Sequence, residues 1–339
     1  MINARNEGVC RAKAFIILSS IIVAILFLLS IGVGKYTLSG KDIINIIADN
    51  HDNQIAINVF YNLRLPRSIM IMLGGIGLGM AGSVFQTIFK NPLASPDIIG
   101  VTSGANVGAA ISIVFLSGSV FTIALGAFSG GIVAIVFVIG LVKLSNTRDV
   151  QTYVLSGIVI NALSNGIIMT LKYFADPENE LGTIEFWTMG SFGSVTSEKL
   201  KMVFPIFLIG LIGLLLMRWT INVLSLSDEE GKALGISVEK SRLLVLFFST
   251  LVIASIVSIT GLISFVALIP PHIARTILRR NDFKTTVFSG LLGAVLMTIS
   301  DILARILLPS ELPISIITSF IGAPYLAFLI YRRNMSKVS

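Results

Sequence analysis

The stretch of sequence that decides the fold is residues 98–142, which read IIGVTSGANVGAAISIVFLSGSVFTIALGAFSGGIVAIVFVIGLV. It contains no Asp, Glu, Lys, Arg or His. As one continuous helix, its 45 residues would extend about 68 Å, whereas the hydrocarbon core of a bilayer is about 30 Å thick. We therefore expect two membrane crossings here, with a turn near Ser117, Gly118 and Ser119.

The composition of the whole chain also indicates a membrane protein. Of its 339 residues, 54% are hydrophobic and 13% are charged, about half the charged fraction of a soluble globular protein. These values disfavour a water-soluble enzyme, a disordered protein and a nucleic-acid-binding protein. The single cysteine, Cys10, allows no disulfide within the chain. Two histidines far apart in the sequence, His51 and His272, do not indicate a metal site.

Seven further apolar stretches are candidates for membrane crossings, each of which needs roughly 20 helical residues. They are residues 14–34, 68–89, 150–171, 202–217, 243–274, 285–310 and 312–331. Residues 243–274 are long for one crossing and short for two, and Gly261 and the pair Pro270-Pro271 interrupt them. The first stretch lacks an Ala-x-Ala-like cleavage site, which favours an uncleaved span over a signal peptide. The chain therefore has nine or ten crossings.

The distribution of basic residues selects ten crossings. Lys and Arg prefer cytoplasmic loops near the ends of spans. Ten crossings with a cytoplasmic N-terminus place 17 basic residues inside and 8 outside, whereas nine crossings place 11 inside and 14 outside. We therefore predict an all-α, polytopic membrane protein of about ten transmembrane helices, with both termini cytoplasmic. Residues 1–339 are expected to form a single transmembrane domain.

The sequence contains no motif for nucleotide binding. The phosphate-binding pattern G-x-x-x-x-G-K-[ST] is absent, so we do not expect the chain to hydrolyse ATP. Asp301 and Arg305 are the main ionisable residues within an apolar stretch, and their i, i+4 spacing suits an ion pair. They form either a neutralised pair near the outer membrane surface or the ion-coupling site of a secondary carrier.

Two other patterns concern helix packing and polar contacts inside the membrane. Gly75 and Gly79 are four residues apart, a spacing that lets two helix backbones approach closely in lipid. Asn161 and Asn165 have the same spacing, with Ser164 beside Asn165. Their amides could line a polar pathway or bond neighbouring helices, and the sequence does not choose between these roles.

The cytoplasmic loop 224–235 carries the signals of a short capped helix. Ser227 followed by Glu230 matches a capping box, the acids at 228–230 suit the positive end of the helix dipole, and Gly235 is a C-terminal stop. We predict a helix over 228–234. A helix this short is marginal in water unless it rests on something, so it either docks onto a partner or lies along the membrane surface.

Several motifs together resemble the iron–siderophore (FecCD-type) permease family, which also includes haem and cobalamin permeases. The matching segments follow one another along nearly the whole chain: residues 63–67 (LRLPR), 81–86 (AGSVFQ), 91–94 (NPLA), 100–105 (GVTSGA), 224–235 (LSLSDEEGKALG), 265–275 (FVALIPPHIAR), 301–305 (DILAR), 311–313 (ELP) and 321–324 (IGAP). The sequence departs from the family pattern at Ser227, Gly231 and Pro270, and around Pro96.

The resemblance implies the permease subunit of an ATP-binding-cassette importer in the bacterial cytoplasmic membrane, not an enzyme. It implies a ferric siderophore or a related chelate (haem or cobalamin) as cargo. It further implies a partner ATPase dimer that holds ATP and Mg²⁺, an extracytoplasmic binding protein and a second permease subunit, with no cofactor or metal held by this chain and no nucleic acid. The competing hypothesis is an ion-coupled secondary carrier that acts without an ATPase.

The resemblance also assigns candidate roles to individual residues. It implies ATPase coupling for Ser227, Asp228, Glu229, Glu230, Leu234 and Gly235. It implies docking of the binding protein for Arg64, Arg67 and Arg305, with outer-surface anchoring or pairing to Asp301 as the alternative. It implies a translocation pathway or inner gate for Val150, Gln151, Thr152, Asn161 and Asn165.

Overall fold

The structure, a computed structural model, describes residues 2–36, 38–145 and 150–338, without the side chains of 2–11, 150, 330 and 332–338. Every regular element in this part of the chain is helical. The helices are α1 (Ile2–Gly32), α2 (Gly40–Ile47), α3 (Gln54–Asn58), α4 (Leu65–Ile88), α5 (Val101–Phe115), α6 (Val120–Leu144), α7 (Val150–Phe174), α8 (Glu180–Thr188), α9 (Ser197–Leu216), α10 (Arg218–Leu224), α11 (Asp228–Ala233), α12 (Val238–Thr260), α13 (Ile269–Leu278), α14 (Phe283–Ile306) and α15 (Ile314–Val338). A π-helical turn (Val59–Arg64) joins α3 to α4.

The lengths of these helices agree with the predicted crossings. Within the described residues, seven helical segments are long and apolar enough to span a membrane: Ala12–Gly32, Gln54–Ile88, Val120–Leu144, Gln151–Phe174, Ser197–Leu216, Val238–Thr260 and Phe283–Ile306. Shorter apolar helices lie at Val101–Phe115 and Ile314–Leu329, and α13 has ten residues. The turn expected near residues 117–119 separates α5 from α6. The prediction of an all-α, polytopic membrane protein is confirmed.

The long stretch 243–274 is two helical pieces joined by eight non-helical residues, 261–268. Helix α12 ends at Thr260, and residues 261–268 are non-helical before α13 begins with Pro270 and Pro271 in its first turn. The backbone groups around this break bond to protein. The Ser191 amide donates to the Thr260 carbonyl, and Ser315 Oγ donates to the Leu262 carbonyl. Irregular backbone at membrane depth is tolerated only where protein or water satisfies it in this way.

Helices α4 and α14 pack with their backbones almost in contact, as the spacing of Gly75 and Gly79 predicts. A Cβ atom added at Gly75 would lie 2.5 Å from the Ala294 Cα atom, and one at Gly79 would overlap the Ser289 carbonyl oxygen. A second close pairing joins α5 to α6, where Gly104 and Gly108 oppose Gly126 and Gly130. This second pairing was not predicted from the sequence.

We predict that Gly79→Ala separates α4 from α14 and destabilises the protein by about 1–3 kcal/mol, as overpacking of a filled interior does. Gly140→Ala is the matched control, because nothing lies within 4 Å of a Cβ at that position in α6. Thermal unfolding in detergent measures both variants. Equal melting temperatures for Gly79→Ala and Gly140→Ala would contradict this account of the interface.

Candidate functional site

The short helix predicted over residues 228–234 is present, and its two ends are capped by residues of the same loop. The Glu230 amide donates to Ser227 Oγ (3.2 Å), and the Ser227 amide donates to Glu230 Oε2 (2.8 Å). At the other end Gly235 has φ +81°, and the Ile236 amide donates to the Gly231 carbonyl, which is a Schellman stop. The helix covers Asp228–Ala233 and ends before Leu234 because that residue is the C-cap.

This helix, α11, is fixed to the body of the protein by one carboxylate. Asp228 Oδ1 accepts from Lys90 Nζ at 2.8 Å, and Asp228 Oδ2 lies 3.1 Å from Arg242 Nη2. The hydrogen bond from Lys90 and the nearby charge of Arg242 lower the pKa of Asp228. A Cβ at Gly231 would lie 2.9 Å from Val238 Cγ2, so the glycine that departs from the family pattern lets α11 sit against the start of α12.

The other side of α11 faces outward. Ser227, Glu229, Glu230 and Gly235 are exposed, and the Leu234 side chain is 53% exposed. The exposed surface is therefore a short acidic helix beside an exposed leucine, and the contacts of Asp228 and Gly231 hold this helix in place. Such a surface can receive a partner protein without rearrangement of the helix itself.

The three arginines predicted for docking lie together at the other end of the molecule. Arg64, Arg67 and Arg305 line one depression of about 220 Å³, which Lys35 and Glu311 also border. The depression lies where α1, α4 and α14 have their extracytoplasmic ends in the predicted topology. The sequence separates these arginines by up to 241 positions, and the fold brings them to one place.

Arg64 and Arg305 are buried and bonded to the end of α1. Arg64 donates to the carbonyls of Ile31, Gly32 and Tyr36, and Arg305 Nη1 donates to the carbonyls of Ser30 (3.0 Å) and Val33 (2.7 Å). The last carbonyls of a helix have no partner within the helix, and cations there are favourable. These two arginines therefore fix the end of α1 against α4 and α14.

Arg67 forms ion pairs with the two acids of this depression, Asp301 and Glu311. Asp301 lies 2.6 Å from Arg305 Nη2 and 2.8 Å from Arg67 Nη2, and Arg67 Nη1 lies 2.8 Å from Glu311 Oε2. The predicted i, i+4 pair of Asp301 and Arg305 is confirmed, and Asp301 holds a second arginine as well. The Asp301 side chain is 1% exposed and that of Glu311 is 34% exposed, so Glu311 is the accessible acid of this cluster. The docking role of the arginines stays a prediction.

The two asparagines of α7 face different surroundings. Asn161 Nδ2 donates to the Asp97 carbonyl (3.0 Å), and Asn161 Oδ1 accepts from Ser103 Oγ (2.6 Å), so Asn161 bonds α7 to its neighbours. Asn165 is exposed and is the one that can line a pathway.

The residues predicted for the inner gate lie at the cytoplasmic start of α7. Gln151 is exposed and Thr152 is half-buried, whereas the Val150 side chain lies outside the described part of the structure.

Three residues that complete these sites were not assigned a site role from the sequence. Lys90 and Arg242 hold α11, and Glu311 completes the arginine cluster. Lys90 and Arg242 are single basic residues beside apolar stretches, where basic residues are common, and only the fold pairs them with Asp228. Glu311 is part of the family motif at residues 311–313, and this motif is the sequence signal that could have identified it as a site residue. Among the described residues, no group of three or more His, Cys, Asp and Glu side chains is placed to hold a metal ion.

The sequence of this chain matches a known transport family over most of its length. A family model described as the FecCD transport family matches residues 22–332. The chain is 37% identical over 320 residues to the molybdate import system permease protein MolB of Haemophilus influenzae, covering 92% of this chain and 94% of that protein. It is 35% identical over 274 residues to a probable iron chelatin transport system permease protein of Helicobacter pylori, covering 81% and 82%.

A solved structure is similar over almost its whole length. It is described as an inward-facing conformation of a metal-chelate type ABC transporter, and it superposes with a TM-score of 0.84 at 34% identity over 94% of this chain and 99% of that one. These matches confirm the resemblance drawn from the motifs and the prediction of a multi-pass protein of the cytoplasmic membrane. The chain belongs to the FecCD transport family.

Proposed function

We propose that this chain is the membrane-spanning permease subunit of an ATP-driven importer. The observation that carries the proposal is α11, a capped acidic helix held against the body of the protein by Asp228 in a chain without a nucleotide-binding motif of its own. A permease of this kind takes its energy from a separate ATPase dimer that binds ATP and Mg²⁺. The exposed side of α11 is the surface that the ATPase contacts.

The extracytoplasmic partner is a binding protein that delivers the cargo. The cluster of Arg64, Arg67 and Arg305 carries three positive charges against two acids, Asp301 and Glu311. Its surplus positive charge favours an acidic surface on the partner and sets the orientation of docking. Because Arg64 and Arg305 are buried and the Arg67 side chain is only 11% exposed, the exposed rim residue Lys35 makes the direct contact and the arginines act through their charge.

A second permease subunit completes the pathway. Residues on one side of α7 are exposed although they are apolar, among them Leu155, Val159 and Leu163. Asn165 is exposed at the edge of this side. The second subunit and the cargo pathway cover this side of α7, and lipid covers the remaining apolar surface.

The proposed cargo is a metal species that passes intact, as a ferric siderophore, haem or cobalamin does. Relatives named for molybdate and for iron chelatin support a metal-containing cargo. The apolar side of α7 around Asn165 suits passage of a complete complex, because it offers no carboxylate or imidazole to compete for the metal.

The alternative of an ion-coupled carrier depends on Asp301, and the environment of this residue opposes it. Asp301 is 1% exposed and contacts Arg67 and Arg305 at 2.8 and 2.6 Å. Both carboxylate oxygens of Asp301 are therefore engaged by arginines inside the protein. This is the arrangement of a structural ion pair, and it leaves no open carboxylate to bind a coupling ion.

Reconstitution tests the proposed function. Proteoliposomes containing the chain with its copurifying ATPase and binding protein are expected to accumulate one of four labelled cargoes (ferric siderophore, haem, cobalamin or molybdate) only when ATP is supplied. The chain alone under a proton or sodium gradient is the control. Uptake by that control would contradict the proposal and favour the carrier.

The double variant Glu229→Lys with Glu230→Lys is expected to uncouple ATP hydrolysis from uptake. It reverses the charge at the N-terminus of α11 and removes the capping box, so uptake falls on the order of tenfold while membrane insertion is retained. The matched control, Glu229→Gln with Glu230→Gln, keeps a residue that can complete the box. Wild-type uptake and cargo-stimulated ATPase activity in the lysine variant would count against a coupling role for α11.

Glu311→Gln is expected to strengthen docking of the binding protein by about threefold at low salt, since it removes the accessible acid that competes for Arg67. The gain shrinks in high salt because ions screen exposed charges. Surface plasmon resonance on the reconstituted complex measures it, with Glu178→Gln, an exposed acid outside the cluster, as control. An unchanged or weaker affinity would argue that the binding protein docks elsewhere.

A further inference from the structure

The chain between α4 and α5, residues 89–100, touches both the coupling helix and the pathway helix α7. We call it the connector. It begins at Phe89, whose ring lies 5.9 Å from that of Phe85 and 5.6 Å from that of Tyr153 on α7. Phe89 is 2% exposed, so the connector starts from a fixed point in the core.

The connector then follows one face of α7. A Cβ at Gly157 would lie 2.8 Å from the Ile99 Cα atom and would overlap the Ile98 carbonyl oxygen. Four residues further along the helix, Asn161 donates to the Asp97 carbonyl. Positions 153, 157 and 161 share one face of a helix. The connector therefore grips α7 over two turns.

Hydrogen bonds inside the connector make it a continuous piece. The Ala94 amide donates to the Asn91 carbonyl (3.1 Å), the Ile98 amide to the Ser95 carbonyl (3.1 Å) and the Gly100 amide to the Asp97 carbonyl (3.2 Å). Thr102 Oγ1 donates to Asp97 Oδ1 at 2.6 Å. Consecutive turns fixed in this way transmit a displacement better than an open loop would.

The connector reaches the coupling helix through Lys90, whose Nζ lies 2.8 Å from Asp228 Oδ1. Both side chains are partly exposed, at 39% and 48%. An ion pair at such a site contributes little to folding stability. Loss of this contact should therefore leave the fold intact, which allows a role in transmission to be separated from a role in stability.

We propose that the connector carries the movement of the coupling helix to α7, with Lys90 and Gly157 as the positioning residues at its two ends. The proposal rests on the proposed function, because it requires a movement driven at α11. Coupling between distant sites travels through contacts of this kind, from packed side chains to hydrogen-bonded segments. The face of α7 opposite the connector carries exposed Leu155 and Val159, so a shift of the connector would move the open side of α7.

The first test measures ATP hydrolysed per cargo molecule transported by the complete reconstituted transporter. Lys90→Ala is expected to raise this ratio by about threefold or more, a change in the range that coupling variants produce, with an unchanged melting temperature. Lys90→Arg retains the positive charge and is expected to keep the wild-type ratio. The control Lys172→Ala removes a comparable ion pair, with Glu185 at 2.7 Å, at the outer end of α7.

The second test follows α7 directly. Spin labels at Leu155→Cys and Phe137→Cys, both exposed positions, in a Cys10→Ser background report the distance between α7 and α6 in the assembled transporter. Adding ATP is expected to change this distance in the parent protein but not after Lys90→Ala. Gly157→Ala is expected to abolish the change as well, whereas Gly140→Ala keeps it.

A wild-type ATP-to-cargo ratio together with a wild-type distance change in Lys90→Ala would overturn the connector proposal and leave the proposed function standing. Absence of ATP-driven uptake by the unmodified transporter would instead overturn the proposed function. If Gly157→Ala fails to fold, the Lys90 variants decide, since their contact is at the surface.

Discussion

Backbone groups at membrane depth must find their hydrogen-bond partners inside the protein, because hydrocarbon offers none. This constraint explains the closely packed helices and also the interruption between α12 and α13. The break at residues 261–268 is possible because other segments bond its backbone: Ser315 at the Leu262 carbonyl and Gln86 at the Leu268 carbonyl. The end of α1 obeys the same rule, with two buried arginines bonded to carbonyls that the helix leaves open.

The ion pairs at the two proposed partner surfaces lie at opposite ends of the molecule. The outer cluster joins α4 to α14 through Arg67 and Asp301 and holds the end of α1 through Arg64 and Arg305, and the inner pair of Lys90 and Asp228 joins α11 to the end of α4. Helix α4 carries a basic residue near its start and another just past its end, and its glycines hold it against α14. It is thus the helix on which both proposed partner surfaces depend. A permease that is driven by an ATPase on the cytoplasmic side and receives its cargo from a binding protein on the outer side, as proposed here, needs a rigid helix that connects the two contact surfaces.

Much of the fold could be predicted from the sequence because its signals are local. Apolar length predicts the spans, and the capping residues Ser227, Glu230 and Gly235 predict α11 to within one residue. The i, i+4 spacing of Asp301 and Arg305 predicts their ion pair. The contacts of Lys90 with Asp228 and of Arg67 with Glu311 join residues 138 and 244 positions apart, and no local pattern encodes such pairings. Residues 97–103 pack against Asn161 and leave Asn165 exposed, and this difference between the two asparagines likewise could not be predicted from a local pattern.

The central claim is that α11 lies on the cytoplasmic side and is the surface an ATPase covers. The most direct measurement is labelling of Leu234→Cys, in a Cys10→Ser background, with a membrane-impermeant maleimide. The account predicts labelling in inside-out vesicles stripped of the ATPase and protection when the ATPase is restored. Labelling from outside intact cells, or equal labelling with and without the ATPase, would contradict it.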